Sequence, residues 1–452
     1  MATTVTSGSS LDSYFKLSER GTTVGTEVRA GVATFLVMAY IIFLNPSILG
    51  AAGYDPAGVA AATALIAGLL SIAMGLVANY PLAMAAGLGI NGAVAFGLVL
   101  GSGLSLEGAM GVIVLEGIVV TVLVLAGLRE AIMDAVPNSL KYAIGVGIGL
   151  FILFIGFVNG GLIRQPAGDG PVPVEFIFPN SAAAALTLIG LVITILLYAR
   201  KVKGALVIAV LVNTVIGLIM GVQTLPDTLA LAPTFSTVGE FDLGNVFTVL
   251  GTLTALLTIF SFMLTDFFDT MGTATAIGEQ AGLVDEEGRL PDVGKMLLVD
   301  SLGAAVGGAA GVSSNTSYIE SSAGVAEGGR TGLTAVVVGV LFLASIFVTP
   351  LASLVPFSAT APVLILIGFL MAALIKDIDF TDMEEGFPAL LAIVLMPLTY
   401  SITVGIGAGF VTHVLIKVIK AKSSEVPLLM WIVAGAFVVF FAQSLLGTAI
   451  SA

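Results

Sequence analysis

Apolar runs long enough to cross a membrane follow one another along almost the whole chain, with short polar loops between them. A membrane-spanning helix needs roughly 20 mostly apolar residues. Such runs lie at about 31–50, 58–79, 82–104, 107–127, 141–163, 181–199 and 204–222, and again at about 246–276, 296–311, 312–327, 331–350, 357–375, 387–401 and 402–418. The pattern predicts an all-α polytopic membrane protein with fourteen transmembrane segments. A further apolar run at 428–449 predicts an additional C-terminal helix.

The composition excludes several classes of function. Only 10% of the 452 residues are charged, whereas soluble domains have about a quarter. The absence of cysteine removes disulfides and thiolate metal sites, and a single histidine argues against a histidine metal cluster or a Ser-His-Asp hydrolase. The net charge of -13 argues against a nucleic-acid partner. We therefore expect no enzyme, no metal and no cofactor, with the lipid bilayer as the main surroundings.

The basic residues predict the orientation, because Lys and Arg collect on the cytoplasmic side. We expect a multi-pass plasma-membrane protein whose N-terminus lies in the cytoplasm. In this orientation every basic residue except Arg164 lies on the cytoplasmic side. This arrangement requires that 387–418 form two short segments divided near residues 399–402. Read as one segment, the stretch would place Lys417, Lys420 and Lys422 outside.

Fourteen segments divide into seven and seven, and an odd number in each half predicts an inverted repeat, as in many secondary transporters. The predicted parts are a cytoplasmic segment at 1–30, a first repeat at 31–222, an extracellular linker at 223–245, a second repeat at 246–420 and the additional helix at 428–449. The third segment of each half is irregular. Segment three contains Pro81, Gly87, Gly89 and Gly92, and segment ten is a Ser/Thr/Asn run at 313–317. We expect each to hold a short extended stretch that leads into a half-helix, and the two stretches to face each other near mid-membrane.

Five acidic residues fall within apolar segments, and no Lys or Arg in the same segments pairs with them: Glu116, Asp266, Asp269, Asp300 and Glu320. An ionised carboxylate at the bilayer centre costs roughly 2.5 to 3.5 kcal/mol on insertion scales, so such acids usually mark function. Asp266 and Asp269 share one helical face. Two carboxylates at such a short distance favour protonation of each other. Glu320 lies where the second half-helix should begin, and we expect that helix's amide groups to stabilise its charge.

The other buried groups have structural interpretations. Glu116 stands alone in a long apolar helix, where a hydrogen bond to a neighbouring helix accounts for it. Asp300 either braces the backbone of segment ten or serves the site. We interpret His413 as a satisfied or interfacial histidine rather than a proton relay.

Acceptor carboxylates without a cation favour a neutral, flat, hydrogen-bond-donating ligand such as a nucleobase. Asp266 and Glu320 would accept from its N–H groups, Asn91 offers both a donor and an acceptor, and Phe267 or Phe268 is available for stacking. A metal ion or Na⁺ ranks lower, because such a site needs more closely spaced oxygen ligands. An intramembrane aspartyl protease and a channel are the alternatives from other classes. The chain lacks the Gly-x-Gly-Asp turn of the former, and two broken segments suit an occluded site better than a pore.

Six motifs resemble the nucleobase-cation symporter-2 (xanthine/uracil permease) superfamily, within it the adenine/guanine/hypoxanthine (AzgA-like) branch. They lie at 11–17, 27–31, 38–41, 86–91, 266–273 and 316–331. The resemblance implies core and gate domains in a seven-plus-seven inverted repeat, and proton-coupled purine uptake by an elevator-type movement, often in a homodimer. It leaves Na⁺ coupling open, with a uracil/xanthine permease or, more distantly, a sulfate-type anion transporter as alternatives.

Carried over by position, the resemblance makes Asn91, Asp266 and Glu320 substrate-binding residues and ties Asp269, together with Asp266, to proton coupling. Gly89, Phe268 and Ser317 complete the expected substrate site. One departure is Ala86, where many relatives have proline before the Gly-x-Gly turn.

Overall fold

Helices make up most of the structure, a computed structural model that describes residues 10–127, 135–166, 174–177, 179–225, 232–284, 290 and 292–450. The helices of the first half are α1 (Ser10–Phe15), α2 (Val24–Met38), α3 (Ile41–Gly50), α4 (Pro56–Ala73), α5 (Leu88–Gly92), α6 (Leu106–Leu125), α7 (Asn138–Asn159), α8 (Ala182–Ala199) and α9 (Ala205–Ile219). Those of the second half are α10 (Leu243–Leu250), α11 (Thr252–Gln280), α12 (Val293–Ala309), α13 (Ser321–Ala326), α14 (Gly332–Ser345), α15 (Phe357–Met371), α16 (Met383–Thr399), α17 (Ile402–Ile419) and α18 (Leu428–Ile450).

Shorter elements extend or interrupt these helices. The π-helical stretches Met74–Ala78 and Ala93–Gly101 continue α4 and α5, while 3-10 stretches at Ile346–Leu354, Ala372–Asp377 and Ser423–Glu425 follow α14, α15 and α17. The strands are β1 (Met84–Ala86), β2 (Ile163–Arg164), β3 (Glu175–Phe176) and β4 (Asn315–Ser317), paired β1 with β4 and β2 with β3, both antiparallel.

Within the described ranges, nine helices are long and apolar enough to cross a membrane: Val24–Gly50, Pro56–Ala78, Leu106–Leu125, Asn138–Asn159, Ala182–Ala199, Thr252–Gln280, Gly332–Leu354, Phe357–Asp377 and Ile402–Ile419. Three shorter apolar helices are Leu88–Gly101, Ala205–Ile219 and Leu428–Ala442. The predicted class, an all-α polytopic membrane protein, is confirmed. The fourteen-segment count and the inverted repeat stay predictions.

Local signals in the sequence explain where the helices begin and end. Asp55 caps α4 by accepting hydrogen bonds from the N–H groups of Ala57 and Gly58, both at 3.1 Å, and proline occupies the first helical position. The predicted division of 387–418 is confirmed: α16 ends at Thr399, Tyr400 adopts a φ of 53°, and Ser401 caps α17.

The eighth apolar run differs from its predicted form. The sequence suggested one segment over 246–276, whereas the structure has the short helix α10, a break at Gly251 with a φ of 73°, and then α11. Glycine adopts this backbone conformation without the steric cost that a side chain brings. Of the expected linker at 223–245, residues 226–231 lie outside the described ranges.

Glycines allow the helices to pack closely within two groups. In the first group, α4 and its π-helical continuation lie against α14, where Gly75 of the continuation meets the backbone of Gly332, and α6 lies against α12. In the second group, α7 lies against α15, where Gly149 meets Gly368, and against α16. A side chain at these glycines would collide with the facing backbone, so small residues permit the contact. The helix α18 adds to α17, with Phe437 packed on Gly407.

Candidate functional site

The two broken segments meet through their extended stretches. Strand β1 pairs with β4 so that Met84 lies opposite Ser317 and Ala86 opposite Asn315. The pairing continues at both ends, because the Gly87 N–H donates to the Ser314 carbonyl at 2.8 Å and the Tyr318 N–H to the Ala83 carbonyl at 2.9 Å. Hydrogen bonding between the strands satisfies backbone that no helix satisfies, which a membrane interior requires. The predicted extended stretches and their mutual approach are confirmed.

Asp300, on α12, braces strand β4. Its Oδ1 accepts hydrogen bonds from the N–H and the hydroxyl of Ser317, both at 2.9 Å, and its Oδ2 accepts from the Thr270 hydroxyl at 2.7 Å. The Thr316 hydroxyl in turn lies 2.7 Å from that of Thr270. Asp300 therefore has the bracing role that the sequence offered as one alternative. Ser317, an expected substrate contact, already uses both its N–H and its hydroxyl in this brace.

Glu320 lies immediately before α13, as expected, and a tyrosine donates a hydrogen bond to its side chain. Tyr40, between α2 and α3, is fully buried, and its hydroxyl donates to Glu320 Oε1 at 2.5 Å. The carboxylate makes no capping hydrogen bond to α13. That the amides at the start of α13 stabilise the charge of Glu320 through the helix dipole stays a prediction. The side chain is turned toward Tyr40, and this leaves Glu320 partly exposed.

Asp269 and Asp266 have different acidic neighbours. Asp269 interacts electrostatically with Asp300 and Glu320, and it is exposed. Asp266 is buried, and its charged neighbours are Glu116, Asp300 and Asp269. The structure therefore gathers all five predicted membrane acids around the paired strands, in an accessible part at Asp269 and Glu320 and a buried part at Asp266.

An exposed stripe of α11 leads away from Asp269. Gly272, Thr275, Ala276 and Glu279 are exposed, while the intervening Ala274 is buried. Residues three and four apart share one helical face, so the stripe runs continuously to the end of α11 at Gln280. Its residues are small or polar, which suits water better than lipid. The exposed face of α11 that begins at Asp269 thus continues to the end of the helix.

The remaining predicted site residues lie on α5 and α11. Asn91 is fully buried, and neither its Oδ1 nor its Nδ2 has a hydrogen-bond partner among the described residues. A side chain at Gly89 would collide with Ile148 of α7, so this glycine permits a close helix contact. Phe268 is half-buried, and Lys141 Nζ lies 5.9 Å from its ring centroid.

Sequence reasoning missed Tyr40 and Lys141. Tyr40 belongs to a motif that the resemblance uses, but its bond to Glu320 joins residues 280 apart in sequence. Lys141 lies at the start of the fifth apolar segment, which contains none of the five acids. A search for basic residues in the acid-containing segments therefore does not find it. His413, by contrast, is as interpreted: it is buried, with Nδ1 at 3.3 Å from the Glu384 carbonyl oxygen. No group of three or more potential metal ligands occurs in the part of the chain that the structure describes.

Comparison with known proteins identifies the family. Residues 25–408 match the sequence profile of the Permease family, Xan_ur_permease. The chain belongs to this permease family. The permease is 41% identical over 428 residues to "Adenine permease AdeQ" of Escherichia coli (strain K12). The aligned region covers 94% of this chain and 95% of that protein. The permease is also 39% identical over 444 residues to "Guanine/hypoxanthine permease PbuG" of Bacillus subtilis (strain 168), with 95% and 98% covered. The family expected from the motifs is confirmed.

Solved structures share the fold of the permease at low sequence identity. The transmembrane domain of a cyanobacterium bicarbonate transporter, BicA, superposes with a TM-score of 0.63 at 14% identity and covers 85% of this chain and 97% of that one. The structure of SLC26A9 gives a TM-score of 0.64 at 13% identity, with 88% and 66% covered. At these identities the likeness shows the fold alone.

Proposed function

We propose that this permease imports purine nucleobases: adenine, guanine, hypoxanthine or a subset of them. The observation that carries the proposal is the near-full-length similarity to proteins named adenine and guanine/hypoxanthine permeases. The site fits such a ligand chemically. Carboxylates at Asp266, Asp269 and Glu320 accept from ring and exocyclic N–H groups, and the unpartnered amide of Asn91 can both donate and accept.

In the proposed complex, Glu320 and Asp266 accept hydrogen bonds from the purine, and Phe268 offers a ring face for stacking. Lys141 lies over the same ring. Asp269 and Glu320, which line the accessible part of the site, disfavour an anion, so the sulfate-type alternative fits less well despite the shared fold. A uracil or xanthine permease would need a similar set of hydrogen-bond acceptors, so competition assays with uracil and xanthine are needed to distinguish that alternative from a purine permease.

Proton symport is the proposed coupling. Five acids around the paired strands can exchange protons, and the exposed stripe of α11 would let water reach Asp269. Asp269 is the proposed coupling residue, acting with Asp266. A site for Na⁺ would need several oxygen ligands at close spacing.

The proposed transport movement is an elevator-type displacement of a core against a gate within a seven-plus-seven inverted repeat. The core would hold α2–α6 and α11–α14, and the gate α7–α9 and α15–α17, with the N-terminus in the cytoplasm. The helix pairs with the most extensive packing lie within one or the other of these two groups, which supports this division. The resemblance also implies a homodimer, which cross-linking of the purified protein would test.

Uptake of labelled adenine, guanine and hypoxanthine tests the proposal in a host that lacks purine permeases. We expect accumulation of at least one purine, and a protonophore should abolish it. Excess uracil or xanthine should compete poorly. If no nucleobase is taken up or bound, the proposed function is wrong.

Single substitutions test the proposed roles. Glu320→Gln and Asp266→Asn should abolish purine binding in folded protein, because each replaces a carboxylate acceptor by an amide. In Asp269→Asn, binding should outlast concentrative uptake. Normal binding in the first two variants would move the site elsewhere, and an unchanged pH dependence of transport in the third would contradict the coupling role.

A further inference from the structure

Glu116, in the middle of α6, has no place in the proposed purine contacts. It is fully buried, and its carboxyl group lies within hydrogen-bonding reach of that of Asp266 on α11. No described N–H or O–H group donates to either Glu116 oxygen or to Asp266 Oδ1. The two carboxyl groups thus lie side by side, away from water, with three of their four oxygens lacking a donor.

Two ionised carboxylates cannot remain in this arrangement. Each would be a buried charge without a counter-ion, and the two would repel each other. A single proton changes both conditions, because a protonated carboxyl group donates to its ionised neighbour and the pair then carries one negative charge.

Among the described residues, the Ser314 hydroxyl lies beside Asp266, but a neutral donor cannot replace the shared proton because it neutralises neither charge. The titratable groups that face the pair are Asp300 from α12 and, beside Asp266, Asp269 of α11 itself. Asp300 is occupied by its three hydrogen bonds to Thr270 and Ser317. The remaining elements packed on α6, the helix α10 and the π-helical stretch Ala93–Gly101, contain no titratable residue.

We propose that Glu116 and Asp266 form a proton-binding site that holds one shared proton, and that Glu116 is a positioning residue for Asp266. The shared proton engages one Asp266 oxygen and keeps the other available for a purine N–H. Loss of the proton leaves two like charges that move apart, so Asp266 turns away from the position that purine binding needs. This last consequence rests on the proposed function, whereas the shared proton does not.

Infrared spectroscopy of purine-free protein tests the shared proton directly. The spectrum at neutral pH should contain the carbonyl stretch of a protonated carboxyl group. Glu116→Gln should remove the intensity of one such group, because the glutamine amide then donates to an ionised Asp266. The matched control is Glu107→Gln, the same change in the first turn of α6, which should leave the band unchanged. A band of equal intensity in wild type and Glu116→Gln overturns the proposal.

The wild-type protein alone provides a second measurement, which does not depend on the folding of a variant. A wild-type spectrum without any protonated carboxyl band at neutral pH also overturns the proposal. Conversely, if wild type binds no purine but the band behaves as expected, the proposed function fails and the proton site stands.

Purine affinity measured against pH tests the consequence for binding. Above the pH at which the pair loses its proton, the wild-type Kd should rise by up to about tenfold per pH unit, as linkage to one proton requires. In Glu116→Gln the amide donor does not titrate, so this rise should disappear while binding at lower pH persists. A rise of the same steepness in Glu116→Gln overturns the positioning role, and Glu107→Gln should follow wild type.

Discussion

Removal of the Tyr40 hydroxyl tests whether Glu320 depends on its buried partner. In Tyr40→Phe the ring stays in its fully buried position, and only the 2.5 Å hydrogen bond to Glu320 Oε1 is lost. A distance this short is typical of a hydroxyl that donates to a carboxylate. Such charge-assisted bonds contribute about 1.5 to 3 kcal/mol.

That free energy corresponds to about a tenfold to 150-fold loss of purine affinity if the bond holds Glu320 in its binding position. We expect a value near the lower limit, because Glu320 is partly exposed and water can replace the hydroxyl. The assay is equilibrium binding of labelled purine to purified protein, with thermal unfolding measured on the same samples to establish that the variant is folded.

Tyr54→Phe is the matched control. Tyr54 is also buried, and its hydroxyl donates at 2.6 Å to the Leu106 carbonyl, a bond outside the candidate site. This variant should lose about 0.5 to 1.5 kcal/mol of stability with an unchanged purine Kd. The reasoning is refuted if Tyr40→Phe binds purine as tightly as wild type does, or if Tyr54→Phe weakens binding to the same extent.

Two further predictions concern access and bracing. The chain contains no cysteine, so Gly272→Cys introduces a unique thiol on the exposed stripe of α11. This thiol should react with a polar maleimide, whereas the thiol of Ala274→Cys, on the buried face of the helix, should not. Equal reactivity of the two variants would contradict a stripe that is open to water. In Asp300→Asn the amide oxygen can still accept from Ser317, and the amide N–H can donate to the Thr270 hydroxyl, but the bonds to a carboxylate become neutral ones of about half the strength, so thermal unfolding should occur at lower temperature. An unchanged unfolding temperature would show that the brace contributes nothing.

The fold could be predicted largely because membrane insertion depends on local sequence. A run of apolar residues identifies a membrane helix wherever it packs, and capping residues such as Asp55 and Ser401 define helix ends through neighbours three residues away or closer. The two extended stretches were predictable for the same reason, since Ser/Thr/Asn runs and clustered glycines disfavour a helix. The break at Gly251 was missed because one glycine in an apolar run is common in membrane helices.

The site was predictable in its residue types but not in its pairings. The cost of a buried carboxylate singles out each acid, whatever its partner. Which groups meet depends on how segments pack, and periodicity within one segment carries no such information. Hence Asp266 and Asp269, which share a helical face, divide between a buried neighbour, Glu116, and an accessible one, Glu320. Tyr40 reaches Glu320 only because segments one and ten come together.

Contacts between the two packed groups are of more than one kind. Lys203, in the loop before α9, donates to Glu327 after α13, and because the lysine is largely exposed, water can replace this ion pair at little cost. Other contacts are buried: the hydroxyls of Ser47 on α3 and Thr360 on α15 lie 2.7 Å apart, and Gly89 of α5 packs closely on α7. If core and gate move as proposed, these buried contacts account for most of the cost of the movement, because a buried hydroxyl that loses its partner costs more than an exposed ion pair does.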